Sequence, residues 1–134
     1  FVMPYEDIVF REIKAHNLFS YVHTCGAIGD RLDLMAQTCV DGIDTLDPPP
    51  LGTVHLNEAK DKYGKRFFLK GNLDSVNELL NADDKIFEEA VIGRIKTGKP
   101  DSGYILSTAC SVSPYVKPER LKRLSELSVI YGTY

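Results

Sequence analysis

The sequence predicts an α/β fold of parallel strands, on three observations. Helix-like and strand-like patterns alternate along the whole chain. The strand-like runs are short and apolar on both faces, as parallel strands covered by helices are. No linker, low-complexity run or close repeat interrupts the rhythm, so residues 1–134 read as a single domain. Such alternation implies β/α units with parallel pairing.

Each element has its own signature. Tyr5, Ile8, Val9 and Ile13 fall at helical spacing, and Pro4 suits a helix start. FSYVHTCG (19–26) is a short β-rich run that ends in Gly. Ile28, Leu32, Met35 and Cys39 then mark one face of a helix. GIDTLDPPP (42–50) reads as a second strand stopped by prolines. LNEAKDKYG (56–64) is a short helix closed by Gly. RFFLKGNLD (66–74) is a third strand, and Ser75 with Glu78 suggests a capping box for a short helix. A longer helix carries Phe87, Ala90, Val91, Arg94 and Ile95 on one side and ends at Gly98. GYILSTACS (103–111) is the fourth strand, and Pro118 opens a last helix with Leu121, Leu124 and Leu127 at its core face. Two architectures fit this order: an open doubly wound sheet, or half of an eight-stranded barrel. A full barrel needs about 250 residues.

Composition narrows the function classes. With a net charge of -3 there is no basic footprint for nucleic acid and no cationic face for a membrane surface. No apolar run approaches the ~20 residues of a membrane span. The N-terminus turns acidic and amphipathic at once, unlike a signal peptide, and position 1 is not Met, which suggests a fragment. An odd count of 3 cysteines suggests reduced thiols in a cytoplasmic protein.

In β/α folds the chemistry collects at the C-terminal ends of the strands. His23 and Cys25 end the first strand, Asp47 the second, Asn72 and Asp74 the third, and Cys110 the fourth. His23 and Cys25, two apart, point to one face of a strand. Cys110 reaches the same point if the sheet curls into a barrel. One imidazole and two thiols with an open position match a catalytic zinc site, and zinc lowers the pKa of a thiol that joins it. Blander readings compete. A lone His-x-Cys is a weak signal. Cys39 reads as core packing, and His16 and His55 as a helix end and a loop. Asp47 before Pro48 and Asn72 after Gly71 are also common turn residues. Residues 60–66 read as a solvated helix end. Lys117, Arg120, Lys122 and Arg123 form either an outer face or a contact for an acidic partner protein.

YVHTCG (21–26), LNEAKDKYG (56–64), FLKGNLD (68–74) and GYILSTACSVSPYVKPERL (103–121) together resemble the uroporphyrinogen decarboxylase-like superfamily. The likeness covers essentially the whole chain and matches the C-terminal half of its members, which are (β/α)₈ TIM barrels. It implies half a barrel here, with four parallel strands each followed by a helix. The His-x-Cys…Cys set resembles the zinc motif of the branch containing methylcobamide:coenzyme M methyltransferases, whose ligands correspond to His23, Cys25 and Cys110. The resemblance implies methyl transfer from a methyl-corrinoid, free or on a corrinoid protein, to a small thiol-type acceptor, with Zn²⁺ as cofactor and Asp47 and Asn72 lining the pocket. STACSV (107–112) stands where true decarboxylases carry a Gly-His-Gly-type turn. Their principal catalytic Asp and Arg lie in the N-terminal half, so this chain alone is expected to be inactive. The alternatives are uroporphyrinogen decarboxylation without metal, and an inert half-barrel serving as an interaction module.

Two structural expectations follow. The strands should be adjacent in sequence order, with helices on one face only. The uncovered inner face, with alternate residues of Phe67, Phe68, Leu69, Ile105 and Leu106 pointing in, should demand either the remainder of a longer chain or a homodimer.

Overall fold

A computed structural model describes residues 1–133. The order is α1 (Val2–Ala15), β1 (Tyr21–Thr24), a 3₁₀ turn (Gly29–Arg31), α2 (Leu32–Met35), β2 (Gly42–Thr45), α3 (Leu56–Tyr63), β3 (Phe68–Leu73), α4 (Asp84–Gly98), β4 (Tyr104–Thr108) and α5 (Pro118–Tyr131). The four strands form one sheet in the order β1-β2-β3-β4, and every pairing is parallel. A doubly wound sheet would reverse its order at a switch point. This one does not, so the architecture is a partial (β/α)₈ barrel.

Register sorts the side chains by period two. Val22, Ile43, Leu69 and Tyr104 lie in one row across the sheet. Ile43, Leu69 and Tyr104 belong to a core cluster that also takes in Leu32, Leu56, Ala59 and Tyr63 from the helical side, and the partly buried Val22 packs against it. A second cluster, with Phe87, Val91, Ile95 and Leu127, joins α4 and α5 to Leu73. Helix α4 lies between α3 and α5 and rests on β3 and β4. Phe67 is 4% exposed and Leu69 0%, so the helix-facing side takes these two, while Ile105 on the other side is 46% exposed.

Several elements differ from the sequence reading. The helix expected through Cys39 stops at Met35. Thr38 Oγ1 donates to the Met35 carbonyl at 2.9 Å, and the Arg66 guanidinium gathers the carbonyls of Ala36, Thr38 and Val40. These bonds give the backbone an alternative to the next helical turn. After β3 the chain makes turns over residues 75–80 instead of a short helix. Asp74, not Ser75, anchors them: its carboxylate accepts from the amides of Val76 and Asn77, and Glu78 accepts from the Asp74 amide. Helix α1 forms as expected, but Tyr5, Ile8 and Val9 stay exposed and only Phe10 is buried. The basic cluster near α5 is partly spent internally. Arg120 donates to Leu79 O, Ala82 O and Asp84, and Arg123 pairs with Glu88.

Candidate functional site

The sheet's uncovered face carries the alternate rows. Tyr21, Gly42 and Phe68 are in register, and so are His23, Asp44, Lys70 and Ile105. The Phe68 ring lies flat against Gly42, where a Cβ would come within 2.3 Å of it. Tyr21 meets that ring edge-on at 6.0 Å. A small aromatic floor thus precedes a polar row, and the polar row precedes the strand ends.

At those ends the structure brings His23, Cys25 and Cys110 together. His23 Nε2 is 3.2 Å from Cys25 Sγ, and Cys25 Sγ is 4.0 Å from Cys110 Sγ. All three cysteines are free. Burial pushes the Cys25 thiol pKa up, and Cys110 with the carboxylates of Asp47 and Asp44 push it further the same way. Without a cation beside it, this thiol is therefore held in its neutral form.

Asp44 lies behind His23. Its Oδ2 is 2.9 Å from His23 Nδ1, while its Oδ1 accepts from Lys70 Nζ at 2.9 Å and from the Thr45 amide at 2.9 Å. Burial raises the Asp44 pKa, but the hydrogen bonds from His23 and Lys70 and the Lys70 charge outweigh it and hold the group below the usual aspartate range. Thr45 Oγ1 stands 3.1 Å from the same Nδ1. Thr45 (φ 89°) and Leu46 (φ 56°) both have left-handed backbone, an outlying conformation for a β-branched residue. Gly71 at φ 144° lets β3 approach here, since a Cβ on it would come within 2.4 Å of Thr45 O.

Asp47 and Asn72, the expected pocket residues, are 4% and 2% exposed. Asp47 Oδ2 accepts from the Gly26 amide at 2.5 Å, which ties the turn after Cys25 to the end of β2. Asn72 Nδ2 donates to Leu46 O and Val54 O. As placed, both side chains clamp the loops around the site. Two hollows of about 630 and 780 Å³ lie elsewhere, lined by residues such as His55 and Glu58 or Phe87 and Arg120, and neither contains His23, Cys25 or Cys110.

Sequence reasoning missed Asp44, Thr45 and Lys70. A signal was present: a charged residue inside a short strand is seldom buried unless paired, and Asp44 and Lys70 sit in two such strands.

The donor set suits zinc in kind. Zinc–ligand bonds of ~2.0–2.3 Å in a tetrahedron put neighbouring N and S ligands roughly 3.5–3.8 Å apart. The observed 3.2 and 4.0 Å fall either side of that span. As placed, no group of three or more His, Cys, Asp or Glu among the described residues is arranged to hold a metal. The trio therefore matches the donor chemistry and approaches two edges of the tetrahedron without forming a finished cage.

Comparison with known proteins places the chain. The family model described as uroporphyrinogen decarboxylase (URO-D) matches residues 1–128. A uroporphyrinogen decarboxylase from Ruthia magnifica subsp. Calyptogena magnifica is 31% identical over 96 residues, which is 72% of this chain and 26% of that protein. Among solved structures, a methyltransferase from Methanosarcina mazei superposes with a TM-score of 0.70 at 19% identity, over 92% of this chain and 34% of that one. The chain thus spans about a quarter to a third of the length of these relatives. The match across nearly all of its residues, with the strand order and the partial barrel described above, establishes that the chain belongs to the uroporphyrinogen decarboxylase (URO-D) family.

Proposed function

We propose that the chain contributes a zinc site to a barrel that transfers a methyl group from a methyl-corrinoid to a thiol-type acceptor. One observation carries this reading: an imidazole nitrogen and two thiol sulfurs, delivered by the first and last strands, converge within 3.2 and 4.0 Å. His23, Cys25 and Cys110 would hold the metal. Bound there, zinc supplies the Lewis acidity that makes a coordinated thiol ionise near neutral pH. The chain's own residues do the rest. His23 is backed by a carboxylate, as ligating histidines ordinarily are. Asp47 fixes the turn that carries Cys25. Tyr21 and Phe68 form an aromatic floor beneath the polar row that carries His23.

A second reading is uroporphyrinogen decarboxylation, favoured by the names of the matching family and of the relative from Ruthia magnifica. It assigns the thiol pair no part. Metal content separates the two. The full chain should purify with about one zinc, and Cys110→Ala should weaken zinc binding beyond the roughly 10–100-fold expected of an outer-shell change. A whole barrel carrying this site, not the chain by itself, should demethylate methylcobalamin when given a thiol. Stoichiometric zinc in a Cys25→Ala, Cys110→Ala double variant overturns the assignment.

A further inference from the structure

His23 has two ring nitrogens, and a neutral imidazole can ligate only through the one without a proton. Which nitrogen that is depends on what the other one meets. Here the in-register neighbour on β2 is Asp44, and Asp44's own neighbour on β3 is Lys70. The carboxylate is asymmetric in its bonding. Oδ1 takes two donors, Lys70 Nζ and the Thr45 amide, at 2.9 Å each, and Oδ2 is left for His23 Nδ1 at 2.9 Å. Asp44 is 7% exposed, so little water competes for that oxygen. The Thr45 hydroxyl stands 3.1 Å from Nδ1 and 3.4 Å from Nε2, so it can serve either nitrogen, but a carboxylate accepts more strongly than a hydroxyl and claims the proton for Nδ1.

We infer that Asp44 is the positioning residue of His23, holding the ring in its Nδ1–H tautomer so that the Nε2 lone pair faces the Cys25 thiol, with Lys70 and the Thr45 amide fixing the carboxylate's orientation. The purpose of this arrangement rests on the zinc reading above, but the tautomer itself is a property of the metal-free chain. Substitution by asparagine gives a specific expectation. With two donors already on the Oδ1 side, the amide of an Asp44→Asn variant must turn its oxygen to Lys70 and Thr45 and its NH₂ to His23. The NH₂ is a donor, so the ring must answer with the Nε2–H tautomer, which closes the nitrogen that faces Cys25.

Nitrogen NMR of histidine-labelled full chain, without metal and at a pH where the ring is neutral, reads the tautomer directly, and His23→Gln assigns the signal. The wild type should be predominantly Nδ1–H. Asp44→Asn should switch it to Nε2–H, whereas Lys70→Met should leave it at Nδ1–H. A residue that merely supports folding would not invert a tautomer. Zinc titration provides the second arm: Asp44→Asn should bind roughly 10–100-fold more weakly, and Lys70→Met should lose less. A wild-type ring that is mainly Nε2–H overturns the inference without any variant having to fold, and so does an Asp44→Asn ring that stays Nδ1–H. If the tautomers behave as stated but the wild type binds no zinc, the positioning role stands and the metal reading fails.

Discussion

The two faces of the four-stranded sheet are built to different rules. On the helical side, Ile43 and Leu69 are 0% exposed and the packing is apolar apart from the hydroxyls of Tyr63 and Tyr104, which donate to Asp33 and to the Gly71 carbonyl. On the other side, one residue along each strand, Tyr21 and Ile105 are 52% and 46% exposed, and between them lie His23, Asp44 and Lys70. A side chain's contribution to folding scales with the apolar area that it removes from water. The helical face therefore holds the stability of this chain, and the open face holds polar groups that a core would not tolerate unpaired. Folding and chemistry are separated by a single step of strand register.

Paired substitutions test that separation most strongly. Leu69→Ala should cost about 2–5 kcal/mol, the usual range for a buried leucine. Ile105→Thr, on the half-exposed face, should cost about 1 kcal/mol or less. Denaturant midpoints of the two variants measure the difference, and equal losses would erase the contrast between the faces. Light scattering adds a sharper edge: any self-association of the chain should fall in Ile105→Thr, because the substitution shrinks an exposed apolar patch.

A smaller effect belongs to the helical layer itself. Asp83 caps α4 by accepting from the Ile86 amide at 2.8 Å. Asp83→Ala should lower stability by about 1 kcal/mol and leave the geometry of His23, Cys25 and Cys110 untouched. A change at the thiols, read by their rate of alkylation, would show that the two faces are coupled.

The smallest effect is electrostatic. The hydrogen bond and charge of Arg123 hold the half-buried Glu88 carboxyl below its ordinary pKa. A carboxylate whose folded pKa is depressed contributes stability above its unfolded pKa and loses it as pH falls through the folded value. The gap between wild type and Glu88→Gln should therefore be greatest at neutral pH, close in acid, and narrow in high salt. A gap that widens in acid would refute this ion pair.

The existence of each strand was legible because period-two and helical patterns are local, and the apolar runs around Val22, Ile43, Leu69 and Tyr104 are clear in the sequence, whereas strand order was not, because the same patterns fit a doubly wound sheet and only the family resemblance chose the half barrel. The convergence of His23, Cys25 and Cys110 was legible only once the sheet was taken to curl into a barrel wall, since strand ends alone leave the first and last strands apart. The end of α2 was not. It depends on Arg66, about 30 residues away, reaching the carbonyl of Ala36. Asp44 and Lys70 were hidden for a related reason: cross-strand register, not spacing along the chain, makes them partners of His23. Asp47 and Asn72 stood at the right strand ends, but which way their polar atoms point is settled by loop backbone that no periodicity describes.

Cys25 follows the first strand of the sheet and Cys110 the last. Laid flat, three strand spacings would set those edges roughly 14 Å apart. The sulfurs stand 4.0 Å apart. Side-chain reach covers only part of that shortfall, so the thiol pair is a caliper on the sheet. Whatever unrolls β1 from β4 pulls the jaws apart, and whatever tightens the wall closes them. A thiol cross-linker of fixed, short span would therefore count how often this wall relaxes, with no other label on the protein.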